Sequence, residues 1–370
     1  MNIGFEAKRV FHNTTGLGNY SRDLVRILRR YYPQSRYFLY NPKASKKTLF
    51  EPLGAQVIEK RPSGIFYSFF SNLWRRFGMV KDLKRDHIEL FHGLSGELPV
   101  GLKKAGIKSV VTIHDVLFLR YPEFYSFIDR TIYYRKFKHA AEAADKVIAI
   151  SEQTKRDIIQ YLGIPEHKIT VVYQGCHQAF KESYTAVQKT ALRKKYQLPE
   201  QFLLNVGTIE SRKNILVAVK ALKNIDNTLV IVGRKTAYTN EITRFIAENK
   251  LEHKVIFLQG LSPQELAMLY QLADVFIYPS LFEGFGIPII EALFSNTPVI
   301  TSIGSCFPEA GGPSTCYIDP TNVDDVAAAI RNILADKYLQ EKMIAEGNSY
   351  VQKFTDESIA KNLVKVYQEF

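Results

Sequence analysis

Cysteine is scarce. Only Cys176, Cys306 and Cys316 occur in 370 residues, too few and too far apart for a disulfide framework or for metal-ligand spacing, which fits a reducing cytoplasm. Long apolar runs are also missing. No stretch of about 18 consecutive apolar residues occurs, so no transmembrane helix is expected. The opening "MNIGFEAKRV" has no apolar core of signal-peptide length before its charges. With 46% hydrophobic and 23% charged residues, the composition excludes disordered and fibrous classes. The length fits two domains of roughly 150 to 200 residues each.

What the chain has in excess is positive charge, and it is unevenly placed. Residues 1–178 carry 29 Lys and Arg against 16 Asp and Glu, a net +13, whereas the rest is close to neutral within a total of +12. Such asymmetry suits a polyanionic partner, either nucleic acid or an anionic membrane face, and equally suits plain solubility.

Short β-rich runs alternate with helical patterns throughout: "NIGFEA", "RYFLYN", "IELFHG", "SVVTIHD", "KVIAIS" and "ITVVYQG", then "FLLNVG", "TLVIVG", "KVIFLQG", "DVFIYPS" and "PVITS". These runs are apolar on both faces, as strands of a parallel sheet covered by helices are. Ser151 reads as an N-cap, Gly163 as a helix stop, and Ser262 with Glu265 as a capping box. The pattern predicts an α/β chain of two doubly wound domains, with ligands at the carboxyl ends of strands and in the cleft between domains. The polar stretch "HQAFKESYTAVQKTALRKKYQLPEQ" is the linker candidate, giving domains at 1–180 and 181–355. A terminal helix over 356–370 could pack on either.

The segment "FEGFGIPIIEAL", Phe282 to Leu293, is the most informative. Gly284 and Gly286 remove side chains where backbone amides could approach a ligand, and Pro288 suits the first turn of a helix. Amides from Phe285 to Ile287 at that helix start would favour a phosphate. Glu283 and Glu291 flank it, and a carboxylate can accept two sugar hydroxyls at once. The same residues also fit a plain strand–turn–helix corner. A second signal lies in "VGTIESRKNI", where Arg212 and Lys213 follow Gly207 and could neutralise a diphosphate.

On these motifs the chain resembles a retaining glycosyltransferase of family 4, with the GT-B architecture of two Rossmann-like domains facing each other across a cleft. The resemblance covers nearly the whole length, and the Glu-x7-Glu segment in "PSLFEGFGIPIIEA" is its most specific part. It implies that Glu283 contacts hydroxyls of the transferred sugar, that Glu291 binds ribose, and that Arg212 and Lys213 bind the diphosphate. It also implies a nucleobase pocket near Arg234, Lys235 and Leu261. Gly16 and Gly18, in the loop "HNTTGLGNY", would face the donor diphosphate and the acceptor, although a tight βα turn explains them as well. His114, ending "SVVTIH", matches a histidine that contacts the donor sugar; His92 is left outside the core set. Two departures stand out. The family often has Gly-Arg where this chain has Gly207-Thr208, and Asn296 replaces a frequent glycine.

No Asp-x-Asp occurs, so the carboxylate pair that holds a metal in the other large glycosyltransferase architecture is missing. The resemblance then implies a metal-independent hexosyltransferase without cofactor, with a nucleotide-sugar as co-substrate and retention by front-face attack. "GTIESRKN" looks like the mannosyltransferase branch, which favours GDP-mannose over UDP-linked hexoses. The acceptor would be a glycan or lipid-linked. Residues 65–86, "IFYSFFSNLWRRFGMVKDLKRD", interleave aromatic and basic side chains, including Trp74, Arg75 and Arg76. That composition suits peripheral docking on the anionic inner membrane face, and suits equally a core-facing helix with a solvated basic edge. Two rivals remain. A nucleotide-sugar epimerase would share the phosphate site, whereas a nucleic-acid-binding protein would leave Glu283 and Glu291 unexplained, so nucleic acid is not expected as a partner.

Overall fold

The computed structural model describes residues 1–44, 49–51 and 54–370, which form two compact units. The first unit comprises residues 1–174 and 355–370, and the second residues 175–354.

The first unit holds a wholly parallel sheet of seven described strands: β1 Asn2–Glu6, β2 Arg36–Tyr40, β3 Val57–Lys60, β4 Leu90–Gly93, β5 Lys108–Ile113, β6 Lys146–Ala149 and β7 Ile169–Val171, in the order β3-β2-β1-β4-β5-β6-β7. The second holds six, again all parallel: β8 Phe202–Val206, β9 Thr228–Val232, β10 Val255–Leu258, β11 Val275–Tyr278, β12 Val299–Ser302 and β13 Cys316–Ile318, ordered β10-β9-β8-β11-β12-β13. Most strands are buried along their length because helices cover both faces, hence their continuous apolar runs.

Helix termini follow local chemistry. Ser151 accepts from Thr154 N to open helix Glu152–Leu162, and Gly163 closes it at φ 67°. Ser262 and Glu265 form a reciprocal capping box on helix Pro263–Leu272. Asn296 stands at φ 59° just after helix Ile287–Phe294, in the left-handed region that Asn tolerates next best after Gly. That backbone geometry accounts for an asparagine where the resembled family often has glycine.

The stretch 177–201 is not a linker. Thr185 and Gln188 form a capping box on helix Ala186–Tyr196, which packs within the second unit and buries only Leu192 of its own residues. Its sequence pattern is weak because so little of it faces a core. The chain passes between units at 174/175 and at 354/355 instead. Helix Asp356–Tyr367 belongs to the first unit: Arg26 Nη1 donates to Asp356 Oδ2 at 2.9 Å, and Leu363, Val366 and Tyr367 join the core around Phe5 and Leu39.

Candidate functional site

In the second sheet β8 and β11 are neighbours, and the chain leaves them towards opposite edges. Such a switch in strand order opens a crevice beyond the carboxyl ends of the two strands. The loop after β8 carries the short turn Ser211–Lys213; the loop after β11 runs to Gly286, where helix Ile287–Phe294 begins. Leu281 N donates to Arg212 O at 3.0 Å and ties the loops together. Gly286 has φ 106°, a conformation that disfavours any side chain, and Pro288 fills the first turn after it.

The two loops converge on Glu283. Its Oε1 accepts from Lys213 Nζ at 2.6 Å and from Tyr278 OH at 3.0 Å, and lies 2.9 Å from Arg212 Nη1. Arg212 is further fixed by donating from Nη1 to Phe282 O at 2.6 Å and from Nη2 to Glu210 Oε1 at 2.7 Å. Lys213 also reaches Tyr278 OH at 2.6 Å. Burial alone would push the Glu283 carboxyl up, but the Lys213 and Arg212 charges and their bonds hold it at about 2. The Arg212 guanidinium, which burial would weaken as an acid-base partner, is instead held more firmly protonated by Glu283 and Glu210. Four charged side chains thus sit together, two of each sign.

Glu291 lies one turn inside helix Ile287–Phe294, half-buried, and accepts from the buried Tyr270 OH at 3.0 Å. The Phe285 ring is buried edge-on to Phe354 at 5.3 Å, so only the backbone there can meet a ligand. Gly284 is half-buried in the same loop, and the Ile287 amide opens the helix, where no intrahelical acceptor exists for it. Arg234 is exposed after β9, with its carbonyl accepting from Ile209 N at 3.0 Å; this joins its loop to the one bearing Arg212. Leu261 is half-buried just before the Ser262 cap.

In the first unit, Gly16 and Gly18 open helix Gly16–Tyr31 after β1, at the switch between β1 and β4. They differ. A Cβ on Gly18 would meet Asn13 O at 2.0 Å, so local packing demands that glycine, whereas the space around Gly16 is open. Asn13 Oδ1 organises the turn by accepting from Thr15 N at 2.8 Å and Gly18 N at 3.1 Å.

His114 has both ring nitrogens engaged: Nε2 bonds Leu94 O at 2.9 Å and Nδ1 bonds Gln174 Nε2 at 2.8 Å. The carbonyl can only accept and the Gln174 amide nitrogen only donate, which assigns the proton to Nε2. Burial pushes its pKa down to about 4, so the ring is neutral near pH 7. To touch a sugar through Nδ1 it would have to release Gln174. His92 is fully buried between Tyr367 OH at 2.6 Å and Thr112 Oγ1 at 2.8 Å, a structural role.

Within residues 65–86, two of the side chains singled out from sequence point inward. Trp74 is fully buried with Nε1 donating to Asp82 Oδ2 at 2.7 Å. Arg75 lies between Glu6 and Glu97, at 2.8 and 2.6 Å. Arg76 is exposed. Sequence reasoning missed Tyr278, Tyr270 and Glu210. A tyrosine as the last residue of an apolar strand, as in "DVFIY", was the available signal for Tyr278.

Comparison with known proteins identifies the family. The family model "Glycosyltransferase Family 4" matches residues 14–179, and "Glycosyl transferases group 1" matches residues 188–350. The chain is 27% identical to the O-antigen chain mannosyltransferase B of Escherichia coli, over the full length of both. It is 31% identical to the O-antigen chain mannosyltransferase RfbU of Salmonella typhimurium, over 66% of this chain and 65% of that one. Among solved structures, Anabaena HepE in complex with UDP and glucose superposes with a TM-score of 0.79 at 19% identity, over all of both chains. WaaG, a glycosyltransferase involved in lipopolysaccharide biosynthesis, superposes with a TM-score of 0.72 at 15% identity, over 99% of both. These two establish the GT-B fold.

Proposed function

The chain belongs to glycosyltransferase family 4, and on that premise we propose that it transfers mannose from GDP-mannose to a hydroxyl of a glycan or lipid-linked acceptor in cell-surface polysaccharide synthesis. That the chain is a hexosyltransferase follows from its family; the sugar, the nucleotide and the acceptor are the proposal. The observation that carries it is the convergence of Arg212, Lys213 and Glu283 at the switch point of the second sheet. The full-length and partial relatives named as mannosyltransferases support the choice of sugar.

In this reading the diphosphate lies against the amides that open helix Ile287–Phe294, with Arg212 and Lys213 meeting the charge that grows on the leaving phosphate. Fixed cations need no reorganisation at that moment, which is where electrostatic catalysis gains most. Glu283 holds both cations in place through Oε1. A carboxylate has about four lone-pair sites, so it can also accept hydroxyls of the transferred sugar. Glu291 takes the ribose, and Arg234 and Leu261 border the base. Gly16 leaves room for ligand on the acceptor side, with His114 as a neutral positioning group. Residues 65–86 dock the enzyme on an anionic membrane face, through Phe66, Phe69, Phe70 and Phe77 with Arg76 and not through Trp74 or Arg75.

The test follows nucleotide release from GDP-mannose and from UDP-glucose, with and without acceptor glycan, in the native enzyme and in Glu283→Ala. Acceptor-dependent release from GDP-mannose, lost in the variant, is the expected result. Full activity in the variant would contradict the assignment, and release indifferent to acceptor would favour an epimerase.

A further inference from the structure

The chain leaves β1 through a turn that carries two cations. Ala7 N donates to Tyr40 O at 3.1 Å, and the short helix Lys8–His12 then buries Val10 and Phe11 in the core of the first unit, which leaves Lys8 and Arg9 half-buried at its start. β1 and β4 are neighbours, and the chain departs from them towards opposite edges. The turn therefore lies at the switch point of the first sheet, beyond the carboxyl ends of its strands, where ligands of such sheets bind. Among the described residues neither the Lys8 ammonium nor the Arg9 guanidinium forms an ion pair or a hydrogen bond, and the undescribed residues 45–48 and 52–53 include no acid.

The carboxylates whose charge reaches Lys8 are held by another cation. Arg75 Nε binds Glu6 Oε1 at 2.8 Å and its Nη2 binds Glu97 Oε2 at 2.6 Å, while Lys136 Nζ stands 3.8 Å from the other Glu97 oxygen. Lys8, Arg9, Arg75 and Lys136 thus face Glu6 and Glu97, four cations against two carboxylates. Burial, and then the charge of Arg75, push the Lys8 pKa below its ordinary value, although Glu6 and Glu97 pull the other way. The place is short of negative charge. Arg9 lies towards the end of β5: after burial, its charge is a further cause of the low His114 pKa, against the pull of the bond to the Leu94 carbonyl. Asp115, the acid that follows His114, accepts from Leu117 N at 3.2 Å.

We propose that Lys8 and Arg9 bind a phosphate group of the acceptor, which makes that acceptor a phosphorylated or diphosphate-linked saccharide and not a neutral glycan. This rests on the glycosyl-transfer reading given above and narrows its acceptor. Charge selects the ligand. A guanidinium and an ammonium from consecutive residues, in a cluster with an excess of two positive charges, match a doubly charged tetrahedral anion. Arg offers a planar fork to two of its oxygens and Lys a compact point charge to a third, whereas a single carboxylate answers only one of them. In the same reading the donor diphosphate has its own cations, Arg212 and Lys213. The space around Gly16, in the next turn of the chain, is open for the saccharide. The two cations touch no reacting atom, so they act on acceptor affinity and appear in KM more than in kcat.

The experiment compares the native chain with Lys8→Gln/Arg9→Gln, both checked for the same melting temperature, on three acceptors: mannobiose, mannobiose 1-phosphate and mannobiose on a short polyprenyl diphosphate. The native chain is expected to prefer the phosphate-bearing forms at least tenfold in kcat/KM, and the variant to lose that preference through KM, with GDP affinity unchanged. The better of the two phosphate-bearing forms identifies the source of the phosphate. Equal use of all three by the native chain would overturn the inference. So would a preference for the polyprenyl form alone that the variant keeps, since the tail would then be what is read. A tenfold loss of GDP affinity in the variant would overturn it too, by assigning the cations to the donor. Calorimetric titration of mannose 1-phosphate in saturating GDP gives a readout without turnover. Binding that the variant loses would uphold the phosphate site even if no acceptor were glycosylated, in which case the reading of function would fall instead; absence of binding to the native chain together with no preference among acceptors would sink the site.

Discussion

Lys213 Nζ lies 2.6 Å from Glu283 Oε1, although 70 residues separate the two along the chain. The strand order makes them neighbours: one follows β8, the other follows β11, and those strands pair at the centre of the second sheet. Arg212 and Tyr278 share the same oxygen, so the cationic and acidic parts of the site form one cluster instead of standing on opposite sides of a ligand. Several consequences can be measured.

Glu283→Gln keeps the shape of the side chain but removes the charge that both cations face. Transfer should fall by about a hundredfold or more, as removal of a preorganised electrostatic element does. Steady-state kinetics with the preferred donor would check it; a loss of less than about threefold would argue that Glu283 only shapes the corner.

The same carboxyl makes a sign-definite prediction for acid stability. Its pKa is depressed to about 2, so its contribution is fully present above the unfolded value near 4.5 and drains away as pH falls from there through 2. Acid unfolding followed by circular dichroism should show Glu283→Gln destabilised at neutral pH, with its deficit shrinking across that window.

Arg212 uses Nη1 for Glu283 and the Phe282 carbonyl and Nη2 for Glu210, a fork that an ammonium group cannot copy. Arg212→Lys should therefore lower kcat/KM by roughly tenfold to a hundredfold, an effect of about 1.4 to 2.7 kcal/mol. Activity equal to the native enzyme would show that charge alone suffices.

His92 and His114 are both held neutral by burial, with their pKa values pushed down to about 3 and about 4. Below the ordinary histidine value near 6.5 the unfolded chain binds protons that the folded chain refuses, so stability declines as pH drops from 6.5 towards these values. Proton NMR of the ring C–H signals should show neither histidine titrating between pH 6 and 8, and a His114 transition near 7 would remove its assignment as a neutral positioning group.

Asn296 occupies a left-handed backbone position after helix Ile287–Phe294, and its Oδ1 accepts from Asn348 Nδ2 at 2.8 Å. Asn296→Val should cost about 1 to 2 kcal/mol, because β-branched residues are outliers there, while Asn296→Gly should be nearly neutral. Chemical denaturation of the two variants separates backbone strain from the lost hydrogen bond.

Much of the fold was legible because parallel strands covered on both faces must be apolar on both, and because Ser151, Gly163, Ser262 and Glu265 mark helix ends through chemistry local to a turn. Helix Ala186–Tyr196 was not legible: with Leu192 as its single buried residue, it has almost no apolar stripe to read. At the site, Arg212, Lys213, Glu283 and Glu291 stood out as charges following strands or opening a helix. The bonds of Tyr278 to Lys213 and Glu283, and of Tyr270 to Glu291, did not, since they depend on which strands and helices pack together. Likewise, an alternation of rings and cations gives no sign of direction, so Trp74 and Arg75 read like Phe69 and Arg76 although Asp82, Glu6 and Glu97 draw the first two inward.

The central claim is that Arg212 and Lys213, held by Glu283, bind the diphosphate of the donor. Calorimetric titration of GDP into the native enzyme and into Arg212→Ala/Lys213→Ala, with folding of both confirmed by melting, tests this most directly. The account predicts that the double variant binds GDP at least a hundredfold more weakly. Equal affinity in a folded double variant would contradict it.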